Sequence, residues 1–177
     1  GEAHRRRRKL LVPPFHGRQM RAHEQLMIEE TRREATTWRM GEEMESAEPF
    51  MRLTLNIILR AVLGAEGAHL EQLRRIMPPM VELGAKLTAS PFADPDRRWG
   101  AWARFRSMRA EYDAVVLDLI AATRADPTLS ERDDVLAMLV QSTYEDGEAM
   151  TDTEIADELF TLLGAGHETT ANTLAWA

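Results

Sequence analysis

The segment from Glu154 to Ala177 constrains the fold more than any other part of the chain. It follows Thr151-x-x-Glu154, a capping-box pattern, and as one helix it would run about 36 Å at 1.5 Å per residue. Leu159, Phe160, Leu162, Leu163, Leu174 and Trp176 point in most directions around such a helix. A helix that is apolar all round belongs at the centre of a protein, so the rest of the chain must pack around it. Its middle breaks that rule with Gly164-Ala165-Gly166-His167-Glu168-Thr169-Thr170. Each glycine costs about 1 kcal/mol relative to alanine, and a buried carboxylate needs a partner or a shifted pKa. Close approach by another body is the usual compensation for a helical glycine. At about 100° per residue, Thr161, Ala165, Glu168, Thr169 and Asn172 share one face. That face is a floor for a ligand, with a proton-handling group at its edge. The competing reading is a packing helix whose glycines admit a neighbouring helix and whose threonines bond back to the preceding turn. His167-Glu168 opens like a zinc-protease helix, but the second histidine would fall at Ala171.

The remaining periodicity is helical, with no convincing alternating strand. A helix at Glu2 to Leu11 is stopped by Pro13-Pro14, and a charged helix is expected from about Gly17 to Gly41. Pro49 stands at a first helical position ahead of an apolar helix ended by Gly64 and Gly67. A fourth helix from about His69 to Met77 is expected to break or kink at Pro78-Pro79. Ser90 to Pro95 reads as a loop. A long amphipathic helix follows from about Asp96 to Arg124, then a short one started by Ser130 with Asp133 and running through Leu139. Met77 and Met80 read as core, and His16, His23 and His69 have no ligand-like spacing.

The chain has 177 residues, a net charge of −7, 44% hydrophobic residues and no cysteine. Disulfides, thiolate metal sites and cysteine nucleophiles are therefore excluded within it. No uninterrupted apolar run is long enough for a membrane span. The acidic total argues against nucleic acid as the main partner, and a soluble cytoplasmic protein is the expectation. Gly1 begins abruptly at a helix and Trp176-Ala177 ends inside one, so the chain reads as a fragment of a single domain.

Ala165-Gly166-His167-Glu168-Thr169-Thr170 resembles the oxygen-activation motif of the cytochrome P-450 monooxygenases, (A/G)-G-x-(D/E)-T-(T/S). Ala171 to Ala177, and the placement of the motif after Asp133-Asp134-Val135-Leu136 and Asp146-Gly147, resemble the family's usual order. His4 and Arg8 match its H-x-x-x-R ahead of Pro14-Phe15, which in the family binds the haem propionates. A guanidinium forks onto a carboxylate and a histidine donates a second hydrogen bond, so the chemistry is suitable.

The resemblance implies a mainly α chain, the helical part of the cytochrome P-450 fold with a small β region. It implies a haem b (iron protoporphyrin IX), O2, a small apolar organic substrate and electrons from a ferredoxin or similar reductase partner. One oxygen atom would enter the substrate. Thr169 would hydrogen-bond the oxygen under activation and Glu168 would relay protons to it. Ala165 and Gly166 would admit the haem face, and Thr161 with Ala165 would line the substrate side. The helix is expected to kink there, where threonines and water open the ladder. The segment from His69 to Pro91 would form the lid over the substrate. Arg5, Arg6, Arg7 and Lys9 would stay mostly exposed and help dock an acidic electron-transfer protein. The family's cysteine ligand has no counterpart in these residues, so the fragment alone is expected to be inert. The alternative is a non-enzymatic all-α module with His4 to Lys9 on nucleic acid, which leaves Glu168-Thr169 unexplained.

Overall fold

Thr151 starts the central helix as its sequence requires. Its Oγ1 accepts from the Glu154 amide at 3.2 Å, and the Glu154 carboxylate accepts from the Thr151 amide at 3.0 Å. Two of the helix's otherwise unsatisfied amides are bonded in this way. The helix then continues from Asp152 to Trp176. The computed structural model describes residues 2–12, 15, 21–89 and 99–177, with side chains from residue 5 onward. In chain order its helices are α1 (Glu2–Leu11), α2 (Glu24–Ala35), α3 (Ala47–Leu63), α4 (Gly67–Thr88), α5 (Ala101–Ala125), α6 (Val135–Gln141) and α7 (Asp152–Trp176), with a 3-10 turn at Leu129–Glu131. Among the described residues no strand forms; an isolated bridge joins Thr143 and Ala149.

Packing follows the apolar pattern. α7 lies most extensively on α3 and also touches α5 and α6, while α4 pairs with α5. Leu59 and Leu63 of α3, Tyr112 of α5, Leu136 of α6, and Leu159 and Leu163 of α7 are fully buried in one core. α3 stops at Gly64, whose φ of 59° lies in the left-handed region that glycine enters without steric cost. No helix among the described residues is long and apolar enough to cross a membrane.

Three local expectations change. α4 runs through Pro78 and Pro79 rather than breaking there. The two missing amides each cost the helix a hydrogen bond, but Leu73, Met77 and Met80 around them are fully buried. His69 bonds Asp118 at 2.7 Å and Arg75 bonds Glu111 at 3.2 Å, tying α4 to α5 ahead of the prolines. α2 ends at Ala35, short of Gly41, because the Thr36 and Thr37 hydroxyls cap the Arg33 and Glu34 carbonyls, each at 2.7 Å. α6 is capped by Asp134, which accepts from the Ala137 amide at 2.9 Å, and not by Ser130. Ser130 instead lies in the 3-10 turn, which Asp126 starts by accepting from the Thr128 amide at 2.9 Å. Residues 17–20 and the loop from Ser90 to Pro95 lie outside the described residues.

α2 is fastened to α3 by charge. Glu30, with its side chain fully buried, pairs with Arg60 at 2.7 Å and Arg33 at 3.1 Å. Glu34 pairs with Arg52 at 2.7 Å. Such pairs hold register more than they add net stability, but removing one partner leaves a buried charge stranded.

Candidate functional site: the open face of the central helix

One face of α7 is buried and the opposite one is open. Leu159, Leu163, His167 and Ala171 recur every fourth residue and are all buried. About 180° away, Thr161, Ala165, Thr169 and Asn172 are exposed and Glu168 is half-buried. The sequence places these five residues on one face, and the structure brings them together there.

Each threonine on or beside the strip bonds back along the helix. Thr161 Oγ1 donates to the Asp157 carbonyl at 3.0 Å, Thr169 Oγ1 to Ala165 at 2.7 Å and Thr173 Oγ1 to Thr169 at 2.8 Å. Helical structure continues through Thr169 and Thr170. The outward lone pairs of Thr169 stay available to a ligand.

The two glycines, alike in sequence, have different surroundings. A Cβ on Gly164 would meet nothing within 4 Å, whereas one on Gly166 would stand 2.6 Å from Ile58 Cδ1 of α3. The body that approaches Gly166 on that side is therefore a neighbouring helix. Only Gly164 and Ala165 leave room at the surface.

Sequence reasoning missed His167, which is 2% exposed. Its Nδ1 lies 3.1 Å from the Thr54 hydroxyl of α3, which is itself 2.9 Å from the Phe50 carbonyl. Burial pushes the imidazole below its ordinary value of 6.5, and the neighbouring Glu168 charge opposes this. The available signal was its place on the buried stripe, four residues from both Leu163 and Ala171.

Beside the strip, Arg109 of α5 lies 4.5 Å over the Phe160 ring and pairs with Asp113 at 2.7 Å and with Asp157. Phe160 meets Tyr112 edge-on at 5.3 Å, and burial pushes the Tyr112 hydroxyl well above its usual range.

α1 carries the second predicted group. The His4 side chain lies outside the described residues. Arg8 is exposed, and neither it nor Arg5 has an ion-pair partner among the described residues. Arg6 and Lys9 are exposed as well and Arg7 partly so, but each has a partner within the chain. Arg6 pairs with Asp146 and sits 4.1 Å over the Tyr144 ring, Lys9 reaches Glu145 at 2.6 Å, and Arg7 reaches Glu158 at 3.3 Å. The turn at 143–149 folds acids onto the helix and neutralises part of its basic face. A groove of about 690 Å³ lies there, lined by Arg5, Leu10 and Tyr144 among others. A second, of about 410 Å³, lies between His23, Arg60 and Arg132. Neither touches the α7 strip, which among the described residues is an open face.

A haem is chemically compatible with this wall. Ala165 exposes only a methyl, the bare side of Gly164 is open, Thr169 offers a hydroxyl, and Arg8 is a free cation for a carboxylate. No residue of the chain can supply a thiolate, and no group of three or more His, Cys, Asp or Glu is placed to hold a metal ion among the described residues.

Comparisons with known proteins agree on one family. The model of the family described as Cytochrome P450 matches residues 1–177. A Mycobacterium tuberculosis protein named "Putative cytochrome P450 138" is 50% identical over 100% of this chain and 40% of its own length. Another from the same organism, "Putative cytochrome P450 135B1", is 39% identical over 99% of this chain and 38% of its own. The chain thus spans about two fifths of the curated relatives it matches. Among solved structures, the cytochrome P450 CYP102L1 superposes with a TM-score of 0.82 at 20% identity, over 99% of this chain and 42% of that one. The retinoic-acid-bound cyanobacterial CYP120A1 gives 0.80 at 24% identity, over 98% of this chain and 38% of that one. These two likenesses bear on fold alone, and the fold they share with this chain is that of its helical layer. With a family model matched from the first residue to the last, and Ala165, Glu168 and Thr169 of the motif lying on one open face of the central helix, the chain belongs to the cytochrome P450 family.

Proposed function

We propose that this chain forms the oxygen-side wall of a haem-dependent monooxygenase, acting on a small apolar organic substrate with electrons from a ferredoxin-like partner. The observation that carries the proposal is the open α7 strip: Ala165, Thr169 and half-buried Glu168 side by side on a helix whose other face is buried. When bound, haem b supplies the iron at which dioxygen is reduced and one oxygen atom is delivered. The chain's own residues bind, orient and move protons.

Arg8, with His4 one turn before it, would hold the propionates. Ala165, beside open Gly164, leaves space for a flat ring. The Thr169 proton rests on the Ala165 carbonyl at 2.7 Å, so the hydroxyl can accept a hydrogen bond outward or rotate to donate one. Glu168, next in the chain and half-exposed, can carry protons from solvent to that hydroxyl. Thr161, two turns earlier on the same face, would border the substrate. Gly166 serves the site indirectly, by letting α3 seat the helix. Residues 1–177 alone, without a cysteine, are inert in this reading.

Thr169→Ala in the haem-loaded protein tests the proposal. More hydrogen peroxide per reductant consumed, with less product, is expected. Unchanged coupling would remove Thr169 from the role and leave the strip without a reactive group.

A further inference from the structure

Thr54 and His167 are 113 residues apart in sequence, and both are buried where α3 and α7 meet. The Thr54 hydroxyl has one proton and several acceptors around it. The carbonyls of Phe50, Met51 and His167 lie at 2.9, 3.4 and 3.2 Å. Any of them can take that proton, and a helical threonine commonly gives its proton to the carbonyl four residues back. Toward His167 Nδ1, at 3.1 Å, the same oxygen is then left as an acceptor. With the threonine proton on a carbonyl, Nδ1 carries the ring proton, and the neutral ring keeps Nε2 bare.

The location matters more than the bond itself. Gly166 brings the α7 backbone against Ile58, one turn beyond Thr54 on α3, and farther along Ser46 Oγ donates to the Ala175 carbonyl at 3.3 Å. Gly166 sets how closely the helices approach, while the Thr54–His167 bond sets the rotation of α7 about its own axis. Hydrophobic contact has no direction, so the apolar stripe by itself permits a small rotation and a hydrogen bond does not. Glu168 and Thr169 are the next two residues of the same turn. A small turn of the helix would swing both across the open face.

We propose that His167, held as its Nδ1–H tautomer by Thr54, is a positioning residue that fixes the rotation of α7 and so aims Glu168 and Thr169 into the site. This rests on the monooxygenase reading for its consequence, but not for its geometry.

The test uses the full-length haem-loaded protein with Thr54→Val, Thr54→Ser and His167→Asn variants. Valine keeps the shape of threonine and deletes the hydroxyl, while serine keeps the hydroxyl. Histidine ¹⁵N spectra of the carbon-monoxide-bound protein report the tautomer, with the His167 resonances identified by their loss in His167→Asn. The C–O stretch of the same complex reports the placement of the distal wall. The wild type and Thr54→Ser are expected to show a protonated Nδ1 and one matching C–O band. Thr54→Val should lose that tautomer preference, shift or broaden the band, and raise the peroxide share of consumed reductant several-fold with substrate affinity held. An Nε2–H wild-type ring, or a Thr54→Val band identical to wild type, overturns the proposal whatever the activity. A wild type that forms no oxygenated product defeats the monooxygenase reading and leaves the tautomer and band results to decide this one. If Thr54→Val fails to load haem, Thr54→Ser against Thr54→Ala is the pair compared, and equal bands in those two refute the lock.

Discussion

Gly164→Ala and Gly166→Ala make the same chemical change two residues apart, and the structure expects different results. Each gains about 1 kcal/mol of helix propensity. At Gly164 the new methyl meets nothing within 4 Å, so the gain is kept and the protein is stabilised by up to about 1 kcal/mol. At Gly166 the methyl lands 2.6 Å from Ile58 Cδ1, against an optimal carbon separation of about 3.5–4.0 Å. Relief requires Ile58 Cδ1, the far end of a half-buried side chain, to move, and costs about 1 kcal/mol, the low end of the overpacking range, which cancels the propensity gain. The two variants should therefore differ by about 1 kcal/mol in urea unfolding at constant m-value. Ile58→Val supplies the control. It removes Cδ1 and leaves Cγ1, which lies at an ordinary 4.0 Å. Alone it should destabilise by about 0.5–1.5 kcal/mol, and combined with Gly166→Ala it should recover the helix gain. The double-mutant cycle then shows a favourable coupling of roughly 1 kcal/mol or more. If Gly166→Ala stabilises as much as Gly164→Ala, or the cycle shows no coupling, helix packing is not the reason for Gly166.

Three further outcomes follow from the same contacts. Arg60→Met leaves Glu30 buried with only Arg33 beside it, and should cost about 3 kcal/mol in the same unfolding assay; Arg33→Met, on an exposed side chain, should cost much less. Because burial lowers the His167 pKa, the unfolded chain binds the extra proton first as pH falls below 6.5. The stability from neutral His167 is complete above that pH and declines as pH drops toward the lower folded value, so His167→Gln should flatten the acid limb of a stability-against-pH curve. Neutralising the turn acids with Asp146→Asn and Glu145→Gln frees Arg6 and Lys9. Reduction by an acidic ferredoxin should then become faster and more sensitive to salt, and an unchanged rate at low ionic strength would exclude α1 as the docking face.

The features legible from the residues alone were those whose physics closes within a few positions. The Thr151–Glu154 capping box, the Gly64 stop and the amphipathic periods depend on hydrogen bonds and side-chain directions within one or two turns. The strip of Thr161, Ala165, Glu168, Thr169 and Asn172 was legible for the same reason, since helical geometry alone places them together. Pro78-Pro79 do not break the helix; the local cost was visible in the residues and the compensation was not: it comes from buried Met77 and Met80 and from hydrogen bonds to α5. The basic run of α1 looked free because its partners Glu145, Asp146 and Glu158 come 136 to 151 residues later. By itself the sequence determined that a long central helix would carry glycines, an acid and alcohols on it, because propensity, capping and period are local. Only the tertiary structure decided that Gly166 admits a helix while Gly164 stays open, and that His167 is tied to Thr54. Those outcomes depend on which surface folds back against the helix, and that is set by the burial of the whole chain and not by any window of it.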